Sequence, residues 1–148
     1  MLRSIRVPDG VTCTTHRVRV AYADTDQGGV VHHSVYLRYL ESARIEHMRE
    51  RGFDYRKFEI DTKRGLFVVE ANVSYLRGAR FDDDLEICTW IGLANRAKLR
   101  FDSIIARGQE DLTHSEISLA CVRFAEAKIS SMPAEVIALA DPQLRNKR

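Results

Sequence analysis

Two aspartates, two glycines and two histidines crowd into one short segment, Asp24-Thr25-Asp26-Gln27-Gly28-Gly29-Val30-Val31-His32-His33-Ser34. A carboxylate beside the start of a helix suits acyl chemistry. The first helical turn carries free N–H groups and the positive end of the helix dipole. A carbonyl oxygen that gains negative charge in a tetrahedral intermediate is stabilised by such donors. A nearby carboxylate can attack the acyl carbon or activate a water. Neither step needs a metal. The same residues also describe a plain turn, because Asp-x-Asp-x-Gly-Gly bonds its side chains to its own backbone. Spacing alone leaves both readings open.

Other chemistry fits less well. Asp24-x-Asp26 opens like a calcium loop, but Val35 stands where the closing glutamate belongs. His32 and His33 are adjacent, so their side chains diverge, and no Glu-x-x-His follows to complete a metal site. Glu41 and Glu46 are expected to pair with Arg38, Arg44 and Arg49 on the same helix. No phosphate-cradling Gly-x-Gly-x-x-Gly and no Gly-x-Ser-x-Gly nucleophile elbow occurs. Cys13, Cys88 and Cys121 are odd in number and contain no Cys-x-x-Cys pair. They are expected to be reduced thiols, with Cys88 and Cys121 inside strands.

The elements that must hold this segment follow from periodicity. Residues 16–22 alternate Val18, Val20 and Tyr22 with Arg17, Arg19 and Ala21, a strand pattern. After the loop, Ser34 can act as N-cap for a helix of about 18 residues that stops at Gly52. Leu37, Leu40, Ala43, Arg44, His47 and Met48 fall on one stripe of it. Asp54–Ile60 can add a short turn. Alternating runs at 66–75, 85–91, 98–105 and 117–124 then read as strands joined by short turns, hence antiparallel. With no second helix of similar length between them, parallel β-α-β units are excluded. A short helix over Ala134–Leu139 and a basic tail complete the chain.

One helix covers one sheet face, and strands apolar on both faces call for a second subunit. The 148 residues, 45% hydrophobic and 30% charged, suit one domain with its own core. A net charge of +2 argues against a mainly electrostatic nucleic-acid partner. No apolar run approaches the ~20 residues of a membrane span, and Met1–Pro8 lacks a signal-peptide core. The expectation is a soluble, cytoplasmic protein.

The block from Val20 to Arg44, with Tyr22-Ala23-Asp24-Thr25-Asp26-Gln27-Gly28-Gly29-Val30-Val31-His32-His33 at its heart, resembles the signature of hotdog-fold acyl-CoA thioesterases. The branch is that of 4-hydroxybenzoyl-CoA thioesterase and the Tol–Pal-associated thioesterases. Val73-Ser74-Tyr75-Leu76-Arg77-Gly78-Ala79-Arg80-Phe81-Asp82-Asp83-Asp84-Leu85-Glu86-Ile87 is similar to the family's next strand pair. The likeness runs from about residue 16 to about 126. It implies an α+β hotdog fold, with an antiparallel sheet of about five strands wrapped around one long central helix. Residues 1–15 would form a leader, 16–126 the hotdog domain and 127–148 a C-terminal extension.

The resemblance also implies roles. Asp26 would be the catalytic carboxylate, as nucleophile or general base. The backbone N–H of His33 would polarise the thioester carbonyl, with the His33 side chain and Tyr22 also catalytic. Asp24 would structure the loop. Gly29, Ser34, Arg96 and Lys98 would bind substrate. Asn95-Arg96-Ala97-Lys98-Leu99-Arg100-Phe101 resembles a family turn, although Lys98 replaces a small hydroxyl residue and Gly78 stands where proline is common. Arg96 and Lys98 can bind phosphate or remain solvated turn charges. The implied substrate is an acyl-CoA, with coenzyme A its only cofactor-like part and no metal. The implied assembly is a homodimer or homotetramer with active sites at the subunit interface. The rival reading is a non-catalytic acyl-CoA-binding module, a sensor or scaffold. A hotdog dehydratase would need a catalytic histidine with an acidic partner in a sequence context that is missing here.

Overall fold

The computed structural model of the protein describes residues 5–146. The first four residues of the expected leader and the last two of the basic tail lie outside the described residues. Six strands form one antiparallel sheet: β1 (Thr14–Arg19), β2 (Arg64–Tyr75), β3 (Asp84–Ala94), β4 (Leu99–Arg107), β5 (Glu110–Arg123) and β6 (Lys128–Ser130). The spatial order is β1-β3-β4-β5-β2. One side of β5 carries β2 along Thr113–Arg123. Its other side pairs with β4 as far as Leu119, after which β6 takes over at Cys121.

The long helix α1 spans Val35–Glu50 and is followed by α2 (Tyr55–Thr62) and the short α3 (Ala134–Ile137). α1 ends where Gly52 adopts φ +78°, a left-handed conformation open to glycine. Asp54 caps α2 by accepting the Lys57 N–H at 3.0 Å. That segment is therefore a full second helix rather than a turn. Its C-cap residue, Lys63, is left-handed at φ +55°.

The sheet closes over the apolar face of α1 and splits the core into two clusters. The N-terminal half of α1 places Tyr36, Tyr39, Leu40 and Ala43 against Leu85, Ile87, Ile105 and Ile117. The C-terminal half places Met48 with Ile91, Leu99, Phe101 and Leu119. Met132, Val136, Leu139 and Ala140, beyond residue 126, belong to that second cluster. Leu37, expected on the buried stripe, is instead 42% exposed. Tyr36 and Tyr39 take the inward positions, because the stripe of α1 is rotated toward its tyrosines.

Two further expectations change. Cys13 and Cys88 form a disulfide across β1 and β3, and only Cys121 is a free, buried thiol. The register pairs Thr15 with Cys88, so Cys13 lies on the same sheet face one diagonal step away, with Cα atoms 6.1 Å apart. Spacing along the chain carried no trace of that register. The first strand also ends earlier than expected, at Arg19, and Tyr22–Asp24 turns into a 3₁₀ helix.

Candidate active site

The loop between β1 and α1 is a small hairpin. Thr25 and Val31 bridge across it, and the His32 N–H donates to the Asp24 carbonyl at 2.9 Å. Asp26 sits near its tip, with its N–H on the Val30 carbonyl at 2.9 Å. The Gly28 N–H donates to Asp26 Oδ1 at 2.8 Å. A Cβ on Gly28 would stand 3.0 Å from that oxygen, and Gly29 adopts φ +73°. The glycine pair thus does two jobs: one glycine makes room for the carboxylate and the other reverses the chain. The Asp26 side chain faces solvent with Oδ2 unclaimed by any described residue.

Asp24, two residues earlier, has the opposite environment. Its carboxylate is buried and accepts from the Tyr39 hydroxyl at 2.7 Å, the Ala21 N–H at 3.3 Å and the Arg38 guanidinium. Burial pushes its pKa up, but the bonds from Tyr39 and Ala21 and the charge of Arg38 outweigh it and hold it below the usual carboxylate value. Burial and the facing Asp24 carboxylate raise the Tyr39 phenol. Arg38 therefore pairs with the loop rather than with Glu41, while Glu46 does pair with Arg49. Asp24 anchors the loop to α1 and leaves Asp26 as its outward carboxylate.

At the start of α1, the His32 carbonyl accepts the Val35 N–H at 2.9 Å. The peptide is planar and trans, so the N–H of His33 points the other way. No described residue accepts a hydrogen bond from it. The next carbonyl, that of His33, is held by the Tyr75 hydroxyl at 2.9 Å. Tyr75 and Tyr36 pack edge-to-face at 5.4 Å, and the Tyr36 hydroxyl accepts the Ala79 N–H at 2.9 Å. The Val31 N–H in turn donates to Ala79 at 2.8 Å. At Gly78 a Cβ would stand 2.9 Å from Val30 Cγ1, so the 77–80 turn lies directly against the loop. Tyr36, Tyr39, Tyr75 and Arg38 position the site and were missed from sequence. Only the i, i+3 spacing of the first two hinted at a shared face.

Ser34 does not cap α1 with its side chain. Its backbone is already helical, and its hydroxyl pairs with His32 Nδ1 at 2.8 Å. The rings of His32 and His33 lie 4.2 Å apart, and both residues are exposed. Tyr22 is 77% exposed and meets Phe81 edge-on at 5.4 Å. No hydrogen bond among the described residues links the Tyr22, Asp26 and His33 side chains. Among the described residues no three His, Cys, Asp or Glu side chains converge as a metal site.

The model of the thioesterase-like superfamily matches residues 20–139. The chain belongs to that superfamily. Among its relatives is an acyl-CoA thioester hydrolase YbgC of Escherichia coli, 36% identical over 82% of this chain and 90% of that one. The acyl-CoA thioesterase YbgC of Haemophilus influenzae is 32% identical over 80% of this chain and 88% of its own length. A solved structure from Aquifex aeolicus superposes with a TM-score of 0.80 at 30% identity, covering 86% of this chain and 99% of that one.

For this member of the superfamily, the turn after β3 holds Arg96 and Lys98. Asn95 Oδ1 accepts the N–H groups of Ala97 and Lys98, both at 2.9 Å. Arg96 is exposed and Lys98 half-buried beside an open groove of about 620 Å³ that also touches Val69 and Ile129. No helix of the described chain is long and apolar enough to cross a membrane.

Proposed function

We propose that the protein hydrolyses acyl-CoA thioesters to a free acid and coenzyme A. The observation that carries this is the unclaimed N–H of His33 at the start of α1, fixed by the peptide whose carbonyl bonds Val35. The thioester oxygen sits on that N–H. Asp26, from the same subunit or the facing one, attacks the acyl carbon or takes a proton from an attacking water. The C–S bond breaks and the thiolate leaves with its electron pair. If Asp26 attacks, water then cleaves the mixed anhydride and regenerates the carboxylate. The two routes need nearly the same placement of the carboxylate. Tyr22 and the His33 side chain flank the reacting carbon, and Gly29 and Ser34 line the approach.

The coenzyme A phosphates lie along the turn at Arg96 and Lys98, where charge-assisted donors border the open groove. The working unit is a homodimer or a pair of dimers. β2 is a sheet edge with one unpaired side, and it exposes Phe67, Val68 and Val69. A bare apolar edge of that kind invites a second copy.

Asp26→Asn keeps the shape of the loop and removes the charge. Release of free thiol from a panel of acyl-CoAs is expected to fall at least ~100-fold, the scale of a lost electrostatic group in an acyl-transfer site. Wild-type rates in that variant, or tight binding of an acyl-CoA without thiol release by the wild type, would sink the proposal.

A further inference from the structure

His33 has a peptide plane on each side, and the two are fixed differently. The plane before it carries its N–H and is held by the backbone: the His32 carbonyl accepts the Val35 N–H at 2.9 Å. The plane after it is held by side chains. The Tyr75 hydroxyl donates to the His33 carbonyl at 2.9 Å, and the Ser34 N–H donates to His32 Nδ1 at 3.3 Å. Peptide planes are rigid, so only the two soft dihedrals of His33 lie between them. When the second plane turns, the first follows and the His33 N–H changes direction.

Tyr75 is firmly placed for this task. It ends β2, where it pairs with Thr113 of β5, and the next N–H, that of Leu76, donates to the Leu112 carbonyl at 2.8 Å. Its ring meets Tyr36 at 69°, and Tyr36 is buried in the core under α1. Burial, then the neighbouring Tyr36, raises the Tyr75 pKa, so the hydroxyl keeps its proton and remains a donor. Tyr75 is nonetheless 48% exposed. Water competes for its hydroxyl, and the bond adds little to folding. Its effect falls on direction instead. A donor stabilises an oxyanion only when it is already aimed at the place where the charge develops.

We propose that Tyr75 fixes the direction of the His33 N–H and is a positioning residue for thioester hydrolysis. The proposal rests on the thioesterase reading above, and the experiment separates the two. Tyr75→Phe keeps the ring against Tyr36 and removes only the hydroxyl. Two coenzyme A thioethers of equal length then divide direction from general structure. S-propyl-coenzyme A has no carbonyl, whereas the ketone of trifluoroacetonyl-coenzyme A hydrates to a tetrahedral centre. The propyl ligand is expected to bind wild type and variant within about twofold, and the ketone to bind the variant at least about tenfold more weakly. Weakening of both ligands alike marks a merely structural role and overturns the proposal, as does weakening of neither. With a cleaved acyl-CoA, kcat is expected to fall about tenfold at constant KM, less than the ~100-fold loss of a donor removed outright. A kcat within about twofold of the wild type also overturns it. If Tyr75→Phe does not fold, Tyr75→Leu is read with the same two ligands. If the wild type releases thiol from no acyl-CoA, the thioesterase reading has failed, and the ligand pair still judges Tyr75. If the wild type binds neither ligand, hydrogen exchange at the Val35 N–H decides. Exchange at least about tenfold faster in Tyr75→Phe supports the hold on His33, and a smaller change refutes it.

Discussion

Two carboxylates two residues apart do different work because only one of them is buried. Asp24 is enclosed by Tyr39, Ala21 and Arg38, while Asp26 reaches solvent from a glycine-shaped tip. Asp24→Ala strands the buried Tyr39 hydroxyl and frees the loop from α1. Urea unfolding should show a loss of about 2 kcal/mol, modest because Arg38 is exposed. Asp26→Ala should change stability by less than about 0.5 kcal/mol. The loop-structuring role of Asp24 was legible from turn chemistry. Its partners were not, because helical spacing offered Arg38 a nearer glutamate and gave no view across the loop.

His47 provides a pH test at the same scale. It is buried on α1, its Nδ1 pairs with Thr14 Oγ1 at 2.9 Å, and its ring meets Phe101 edge-on. Burial, then the nearby Arg51, lowers its pKa from 6.5 to about 4, against the weaker pull of Asp141. The unfolded chain therefore binds the proton first. Its contribution is complete above pH 6.5, falls as the pH drops toward 4, and is flat below that. The loss amounts to about 3 kcal/mol. Urea unfolding at stepped pH should show this slope in the wild type and lose most of it in His47→Gln. Asp24, with its lowered pKa, adds a separate loss only below pH 3.8.

At the scale of elements, alternation along the chain located five of the six strands and the long helix, since one buried face imposes a period. It did not locate β6, whose three residues are too short to show one. It also could not show the bulge in β3. There the register shifts between Ile91 and Leu93, and Gly92 is the extra residue. A Cβ on Gly92 would stand 2.1 Å from Asp102 Oδ2. Asp102 is buried in that space and held by Arg100 at 2.7 and 2.9 Å. Gly92→Ala must displace the carboxylate and break the pair. Denaturant unfolding should register a cost of about 3 kcal/mol, with the folded circular-dichroism spectrum retained.

For the whole molecule, the disulfide from Cys13 to Cys88 closes a separation of 75 residues and pins the edge strand β1 to β3. Reduction should lower stability by about 2–4 kcal/mol. Cys88→Ser should show the same drop and no further response to reductant in a thermal melt. The opposite edge, β2, is the proposed meeting face of two subunits. Val69→Lys should shift the protein toward monomer in light scattering and lower thiol release with it. A wild type that is monomeric throughout would refute that interface.

The place of β5 in the sheet has a consequence for the order in which the chain can be made. It pairs with β2, β4 and β6, and it is the fifth strand to leave the ribosome. Until Glu110–Arg123 emerges, β2 has no partner and β4 has one open side. The nascent protein therefore carries an open β2 border from Tyr75 onward, and a second one at β4 from Arg107, until β5 is made. Chains stopped before residue 110 should aggregate, and chains that extend through Ala140, the last residue of the second core cluster, should not. One late strand joins the two halves of the sheet in a single closing event.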